Sequence, residues 1–186
     1  RESWWVEDYA LFMAIKEQKE GKSWQEWEED IRKREEAALN RYRKALSKEI
    51  EYWCFLQFLA YRKWLHLKEY VNSLGIQIIG DLPIYAALDS ADAWVGGKTG
   101  IFKFDENLTP VAVAGCPPDY FSRDGQYWGN PVFHWERLKE IGYDWWLKRI
   151  ENALRIYDVL RIDHFRGFAD YYAIPSYCET ATVGEW

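Results

Sequence analysis

Two runs of the chain bring ionisable side chains to the end of an apolar stretch. In YDVLRIDHFRGF, Tyr157 to Phe168, the residues Val159, Leu160 and Ile162 lead to Asp163, with Arg161, His164 and Arg166 around it. In IQIIGDLPIY, Ile76, Ile78 and Ile79 lead to Asp81. A carboxylate at a strand end can serve as a nucleophile, a general base, a metal ligand or a helix cap. Arg161 stands two positions before Asp163, so the strand pleat sends both side chains to one side. A guanidinium there keeps a carboxylate ionised at neutral pH, which a nucleophile requires. A purely structural Arg–Asp pair would look the same at this level, and the residue types leave both readings open. His164 points to the other face and reads first as a core histidine. The three histidines, His66, His134 and His164, are scattered and lack companion ligands, so no metal and no cofactor is expected. GGKTG at Gly96 to Gly100 lacks the preceding strand and full spacing of a phosphate loop.

Between the two acidic strand ends lies a segment rich in Gly, Pro and aromatic residues. AGCPPDYFSRDGQYWGNPVF offers Tyr120, Phe121, Tyr127 and Trp128, and it reads as a long irregular loop of the kind that forms lids. Segment 116–131 is expected to be more mobile than the strands. Aromatic rings beside carboxylates suit carbohydrate: sugar C–H faces stack on rings, and carboxylates act on glycosidic bonds through oxocarbenium-like transition states.

The elements that position these residues follow from periodicity. Ser3 can cap a first helix to about Gln18, with Trp5, Tyr9 and Phe12 on one face. SWQE, Ser23 to Glu26, has the form of a capping box, with a charged and solvated stretch after it. No Gly or Pro interrupts 37–73, which predicts one long helix ended by Gly75, its middle (WCFLQFLAY) buried. The β-branched runs before Asp81 and Asp163 predict two strands buried on both faces. IFKF and VAVA around DENLTP predict a hairpin. A helix over 144–157 would link the strands as a βαβ unit with parallel pairing, both acidic residues at the C-terminal ends where α/β active sites collect. The domain reading is a helical insertion and long barrel helix over 1–74, then a barrel segment over 75–186.

Composition narrows the class further. A net charge of −6 with no basic face argues against nucleic acid, and no apolar run approaches the span of a membrane helix. Cys54, Cys116 and Cys178 read as reduced thiols of a cytoplasmic protein. Aromatics reach 18% of the 186 residues, which composition alone assigns to core packing before ligand stacking. The missing initiator Met fits a segment of a longer chain.

GIQIIGDLPIYAALDSADAW, AGCPPDYFSRDGQYWGNPVF and LRIDHFRGF, in this order, resemble the 4-α-glucanotransferases (amylomaltases, or disproportionating enzymes) of glycoside hydrolase family 77. WWVEDYALFMAIKE and KEIEYWCFLQFLAYRKW resemble the same family, so the similarity covers essentially the whole chain. The resemblance implies an α/β fold: a segment of a (β/α)8 TIM barrel with helical insertions, incomplete in this chain. It implies an enzyme that cleaves an α-1,4-glucan or maltooligosaccharide, holds one part covalently and passes it to another sugar. Asp163 matches the family's catalytic nucleophile and Arg161 the arginine that orients it. Asp81 matches a substrate-supporting aspartate on the preceding strand. Tyr120, Phe121 and Trp128 match a loop over the glucan, and His164 matches the position after the nucleophile.

A retaining mechanism needs a second carboxyl group about 5–5.5 Å from the first. The family's acid/base glutamate and a further aspartate fall on strands expected beyond Trp186, and the first strands before Arg1. Glu179 and Glu185 match neither role. The rest of the barrel is thus expected on flanking sequence, and the segment alone should not turn over. An amylase-like hydrolase shares the chemistry up to the covalent intermediate. A non-catalytic glucan-binding module, or a helical scaffold with a structural Asp163, are the remaining alternatives.

Overall fold

Apolar residues recurring at helical spacing commit the first part of the chain to helices. In the computed structural model, which describes residues 3–186, α1 spans Ser3–Gln18, α2 Glu29–Arg32, α3 Glu36–Ala45 and α4 Ser47–Ser73. The Ser3 side chain, from which a cap is expected, lies outside what the structure describes, and the backbone of Ser3 is already part of α1. SWQE forms its capping box around a 3-10 turn at Trp24–Glu26: Ser23 Oγ accepts from the Gln25 N–H (3.4 Å), and Glu26 Oε1 from the Ser23 N–H (3.3 Å). The stretch after it is not all solvated, because α2 buries Ile31, whose carbonyl accepts the Trp94 indole N–H at 3.1 Å.

The single helix expected over 37–73 is two. Leu46 departs from helical geometry (φ −109°, ψ 26°) between α3 and α4, and both Leu39 and Leu46 enter the core beneath α1. That core also takes Ala93 and Trp94 of α5, Ala91–Thr99, so packing crosses residue 75. The middle of α4 is not buried as expected. No residue of the helix is fully buried, and Tyr52, Phe55 and Phe58 are each more than half exposed. Contacts with α1 and α7 cover one side of α4. The helix is apolar on both sides, but nothing among the described residues covers the other.

β1, Ile79–Leu82, and β4, Val159–Ile162, pair in parallel, as the βαβ reading expects. The register sets Ile79 beside Val159, Gly80 beside Leu160, Asp81 beside Arg161 and Leu82 beside Ile162. Side chains alternate across a strand, so Gly80, Leu82, Leu160 and Ile162 share one face. That face packs on α7, Asp144–Ile156, through Trp146, Ile150 and Ala153. Gly80 is required by this approach: a Cβ there would stand 2.0 Å from the Tyr157 ring. The opposite face is open, which corrects the expectation of strands buried on both sides. Ile79 is 68% and Val159 43% exposed, because this sheet has two strands and one covering helix among the described residues.

A second sheet replaces the hairpin and the irregular loop. β2, Ala112–Cys116, lies between β3, Gln126–Pro131, and β5, Tyr172–Pro175, antiparallel to both. VAVA therefore pairs mainly outside the expected hairpin. Of the expected hairpin IFKF keeps an isolated bridge from Phe104 to Pro110 and a Val111 N–H to Lys103 carbonyl bond (3.0 Å), while Phe102 bridges Phe133 and the Lys103 N–H donates to the Val132 carbonyl (3.0 Å). α6, Trp135–Glu140, precedes α7. GGKTG forms the last turn of α5, with Gly100 in the left-handed conformation that ends a helix. Cys54, Cys116 and Cys178 are all free thiols. Among the described residues no helix is long and apolar enough to cross a membrane.

Asp158 ties α4 to the entrance of the first sheet. Its carboxylate accepts from the Ile78 N–H (2.8 Å) and the Asn72 amide (2.8 Å), and pairs with Lys68. These partners, the Ile78 amide foremost, hold its pKa down at about 2. A carboxyl depressed below its unfolded value of about 3.9 stabilises the fold above that value. The contribution is lost as pH falls through about 2. Asp158→Asn should therefore lower stability at pH 7 and flatten the pH dependence between about pH 4 and pH 2. Urea unfolding at stepped pH, followed by circular dichroism, reads both. Equal stability of variant and wild type across that range would exclude the clamp.

Candidate active site

The parallel register decides which charged groups meet. Asp81 and Arg161 are direct cross-strand neighbours on the open face of the first sheet. Arg161 donates from Nε to Asp81 Oδ1 (3.0 Å) and from Nη2 to Asp81 Oδ2 (2.5 Å), a two-pronged pair. Asp81 raises the guanidinium further above its ordinary value, by hydrogen bonding first and charge second, and Asp163 adds a smaller push in the same direction. Arg161 was expected beside Asp163 as its partner; its hydrogen bonds go to Asp81 instead. Side-chain alternation put Arg161 and Asp163 on one side, but only the pairing of two strands, eighty residues apart, puts Asp81 within closer reach.

Asp163 lies one residue past the end of β4. Its N–H donates to the Leu82 carbonyl at 3.0 Å, so the parallel ladder carries on to it although the strand stops at Ile162. The chain then turns sharply. His164 takes a left-handed conformation (φ 47°, ψ 46°) and leads into a 3-10 turn over Phe165–Phe168. The turn sends the imidazole against Trp128, ring edge to ring face, at 5.2 Å between centroids.

Trp128 belongs to β3 rather than to a loop, and this strand supplies the other side of the site. Asn130, two residues on, donates its amide to the Ala86 carbonyl (2.8 Å), which ties β3 to the chain leaving β1. A cleft of about 200 Å³ results, lined by Pro83, Ile84, Tyr85, Trp128, Asn130, Asp163 and His164. Three of the residues singled out by sequence, Asp163, His164 and Trp128, thus meet in one cleft. Asp81 and Arg161 do not line it; they form their ion pair on the sheet face, two residues back along the strands. Tyr85 and Asn130 went unmarked in the sequence, although both sit in the motifs IQIIGDLPIY and QYWGNP.

Tyr120 and Phe121 do not join the cleft. They stand at the tip of the β2–β3 connection, 98% and 93% exposed, packed on each other edge to face at 5.6 Å. Their projection has a local cause. Asp119 Oδ1 accepts from the N–H groups of Phe121 and Ser122 (2.8 Å each), a turn that thrusts both rings outward. Leaving two large aromatics in water is costly, and it marks the tip as a place for contact.

Comparisons with known proteins follow the same pattern. A family model described as 4-alpha-glucanotransferase, glycoside hydrolase family 77, matches residues 1–186. The 4-alpha-glucanotransferase of Thermus thermophilus is 48% identical over 186 residues, all of this chain and 37% of that protein. That of Synechocystis sp. is 50% identical over 183 residues, 98% of this chain and 36% of that protein. Among solved structures, the amylomaltase of Streptococcus agalactiae in complex with acarbose superposes with a TM-score of 0.94 at 49% identity, covering 100% of this chain and 37% of that one. The amylomaltase of Corynebacterium glutamicum, at 23% identity and a TM-score of 0.72, covers 96% of this chain and 22% of that one and shows a shared fold. The chain therefore spans a little over a third of the length of the curated relatives named here.

Proposed function

The chain belongs to the 4-alpha-glucanotransferases of glycoside hydrolase family 77, and from that membership we propose that the full-length protein moves α-1,4-glucan pieces between maltooligosaccharides by retaining double displacement. Asp163 attacks the anomeric carbon as the glycosidic C–O bond breaks, and a second carboxylic acid gives its proton to the departing oxygen. The glycosyl group then passes from Asp163 to the 4-hydroxyl of an acceptor sugar, whose proton returns to that second carboxylate. Arg161 and Asp81 brace the strand end, and Trp128 with His164 forms the wall on which a glucose ring rests. The observation that carries this reading is the convergence of Asp163, His164 and Trp128 on one cleft at the C-terminal ends of two parallel strands.

A (β/α)8 barrel is the architecture that suits it. The open face carrying Ile79, Val159 and the Asp81–Arg161 pair then becomes the barrel interior, closed by strands on flanking sequence that also bring the acid/base carboxyl. The segment of 186 residues is accordingly expected to be inactive alone. Incubating the full-length protein with maltotriose should yield glucose together with longer maltooligosaccharides. Glucose and maltose without longer products would instead assign a hydrolase.

The exposed pair Tyr120 and Phe121 bears on that distinction. We assign it to a lid that folds over bound glucan and keeps water from the covalent intermediate. Replacing both with Ala should weaken maltooligosaccharide binding several-fold and raise hydrolysis relative to transfer. A transfer-to-hydrolysis ratio equal to wild type, read by product chromatography, would remove the pair from the lid.

A further inference from the structure

Two buried polar atoms behind the cleft wall have no partner. The Tyr85 hydroxyl and His164 Nε2 are both shielded from solvent and make no hydrogen bond. Buried polar atoms are nearly always satisfied, so a pair of orphans side by side calls for a cause. His164 bears a second cost, since its φ of 47° lies in a region that residues other than glycine rarely adopt. Both costs fall on the residue that follows Asp163 and on its neighbour in the cleft. Burial also pushes the Tyr85 phenol further above its ordinary pKa, which keeps it a hydrogen-bond donor.

The surroundings fix the direction from which a partner could come. The Tyr85 and His164 rings lie 6.2 Å apart, and Trp128 packs against both, at 5.9 Å and 5.2 Å. On the far side the 3-10 turn closes in: a Cβ at Gly167 would stand 2.7 Å from Ile84, 3.1 Å from the His164 ring and 3.4 Å from the Tyr85 oxygen. That wall has no room. Tyr85, His164, Trp128 and Asp163 all line the cleft, so approach is left to the side that the indole covers.

We propose that Tyr85 and His164 read one hydroxyl of the glucose unit beside Asp163, becoming its two partners when the Trp128 indole shifts. A sugar hydroxyl both donates and accepts, which matches a phenol O–H on one side and an imidazole nitrogen on the other. Groups left unpaired in the free protein and paired in the complex add directly to binding. The inference rests on the glucan reading above and deepens it: Tyr85 has no part in that reading, and His164, there only a wall, gains a polar contact.

The test uses the full-length protein carrying Asp163→Asn, which blocks turnover, with maltotetraose as the probe in calorimetric titration. Adding Tyr85→Phe removes a single oxygen and should weaken the Kd about tenfold. The same change deletes an orphan atom, so the Tm of the unliganded protein should hold or rise. A tyrosine with a merely structural role would show the reverse, a lower Tm and an unchanged Kd. His164→Phe should also weaken binding, and Tyr85→Phe added to it should cost much less than tenfold, because one hydroxyl needs both partners. An unchanged Kd, a Tm loss above about 2 °C, or fully additive losses would each overturn the proposal. No affinity of the Asp163→Asn protein for maltotetraose would overturn the glucan reading and this proposal together. Normal affinity with an inert Tyr85→Phe would overturn this proposal alone.

Discussion

Asp163→Asn in the full-length protein should lower transfer turnover by about 10⁴–10⁶-fold while fold and glucan binding stay close to wild type. The amide has nearly the size of the carboxylate, with one acceptor oxygen where the carboxylate has two. It cannot form the covalent ester. The backbone around it should hold, since the Asp163 N–H bond to the Leu82 carbonyl uses no side-chain atom. A strand end suits the task because covalent attack tolerates little positional error, and a paired strand is stiffer than a free loop. Single-turnover assays with maltotriose would read the loss, and far-ultraviolet circular dichroism the fold. A loss of only a few-fold would remove Asp163 from the chemistry.

Arg161→Ala should cost about 10²–10³-fold in kcat with a much smaller change in KM. The side chain does not line the cleft, so its effect runs through position: it clamps Asp81 across the strand pair two residues before Asp163. Removing it leaves a carboxylate unpaired in what we infer is a barrel interior, and the strand ends should shift by fractions of an ångström. Arg161→Lys keeps the charge but loses the planar fork, and it should recover only part of the rate. Near-complete recovery by lysine would show that charge alone matters. A rise in KM with kcat intact would instead make Arg161 a substrate contact.

Local pattern made part of this legible in the sequence. The β-branched runs ending in Asp81 and Asp163 announce two strands, and the helical period before Tyr157 announces the crossover, so the parallel pair and its acidic ends could be anticipated. The partner of Arg161 could not, because it depends on a register set between residues 81 and 161 by the packing of α7. β3 hides in QYWGNP, where one Gly and one Pro outweigh the strand-forming aromatics. β5 is only Tyr172–Pro175, too short to show a period. Burial misled for a different reason. Phe55, Phe58, Ile79 and Val159 are apolar yet exposed, and a sequence pattern reports that a side chain is apolar, not whether anything among the 186 residues covers it. Tyr85 left no trace at all: one aromatic in an apolar run looks like core until its hydroxyl is found without a partner.

The central claim is that Asp163 becomes glycosylated, and trapping that ester tests it most directly. A slow glycosyl-fluoride donor suits the trap, since fluoride departs with little help from an acid while the new C1–O bond to the carboxylate forms. After incubation and proteolysis of the full-length protein, mass spectrometry should place one added glycosyl mass on a peptide containing Asp163. The isolated 186-residue chain should stay unlabelled. Label on another carboxylate, or none in a protein that turns over normally, would contradict the assignment.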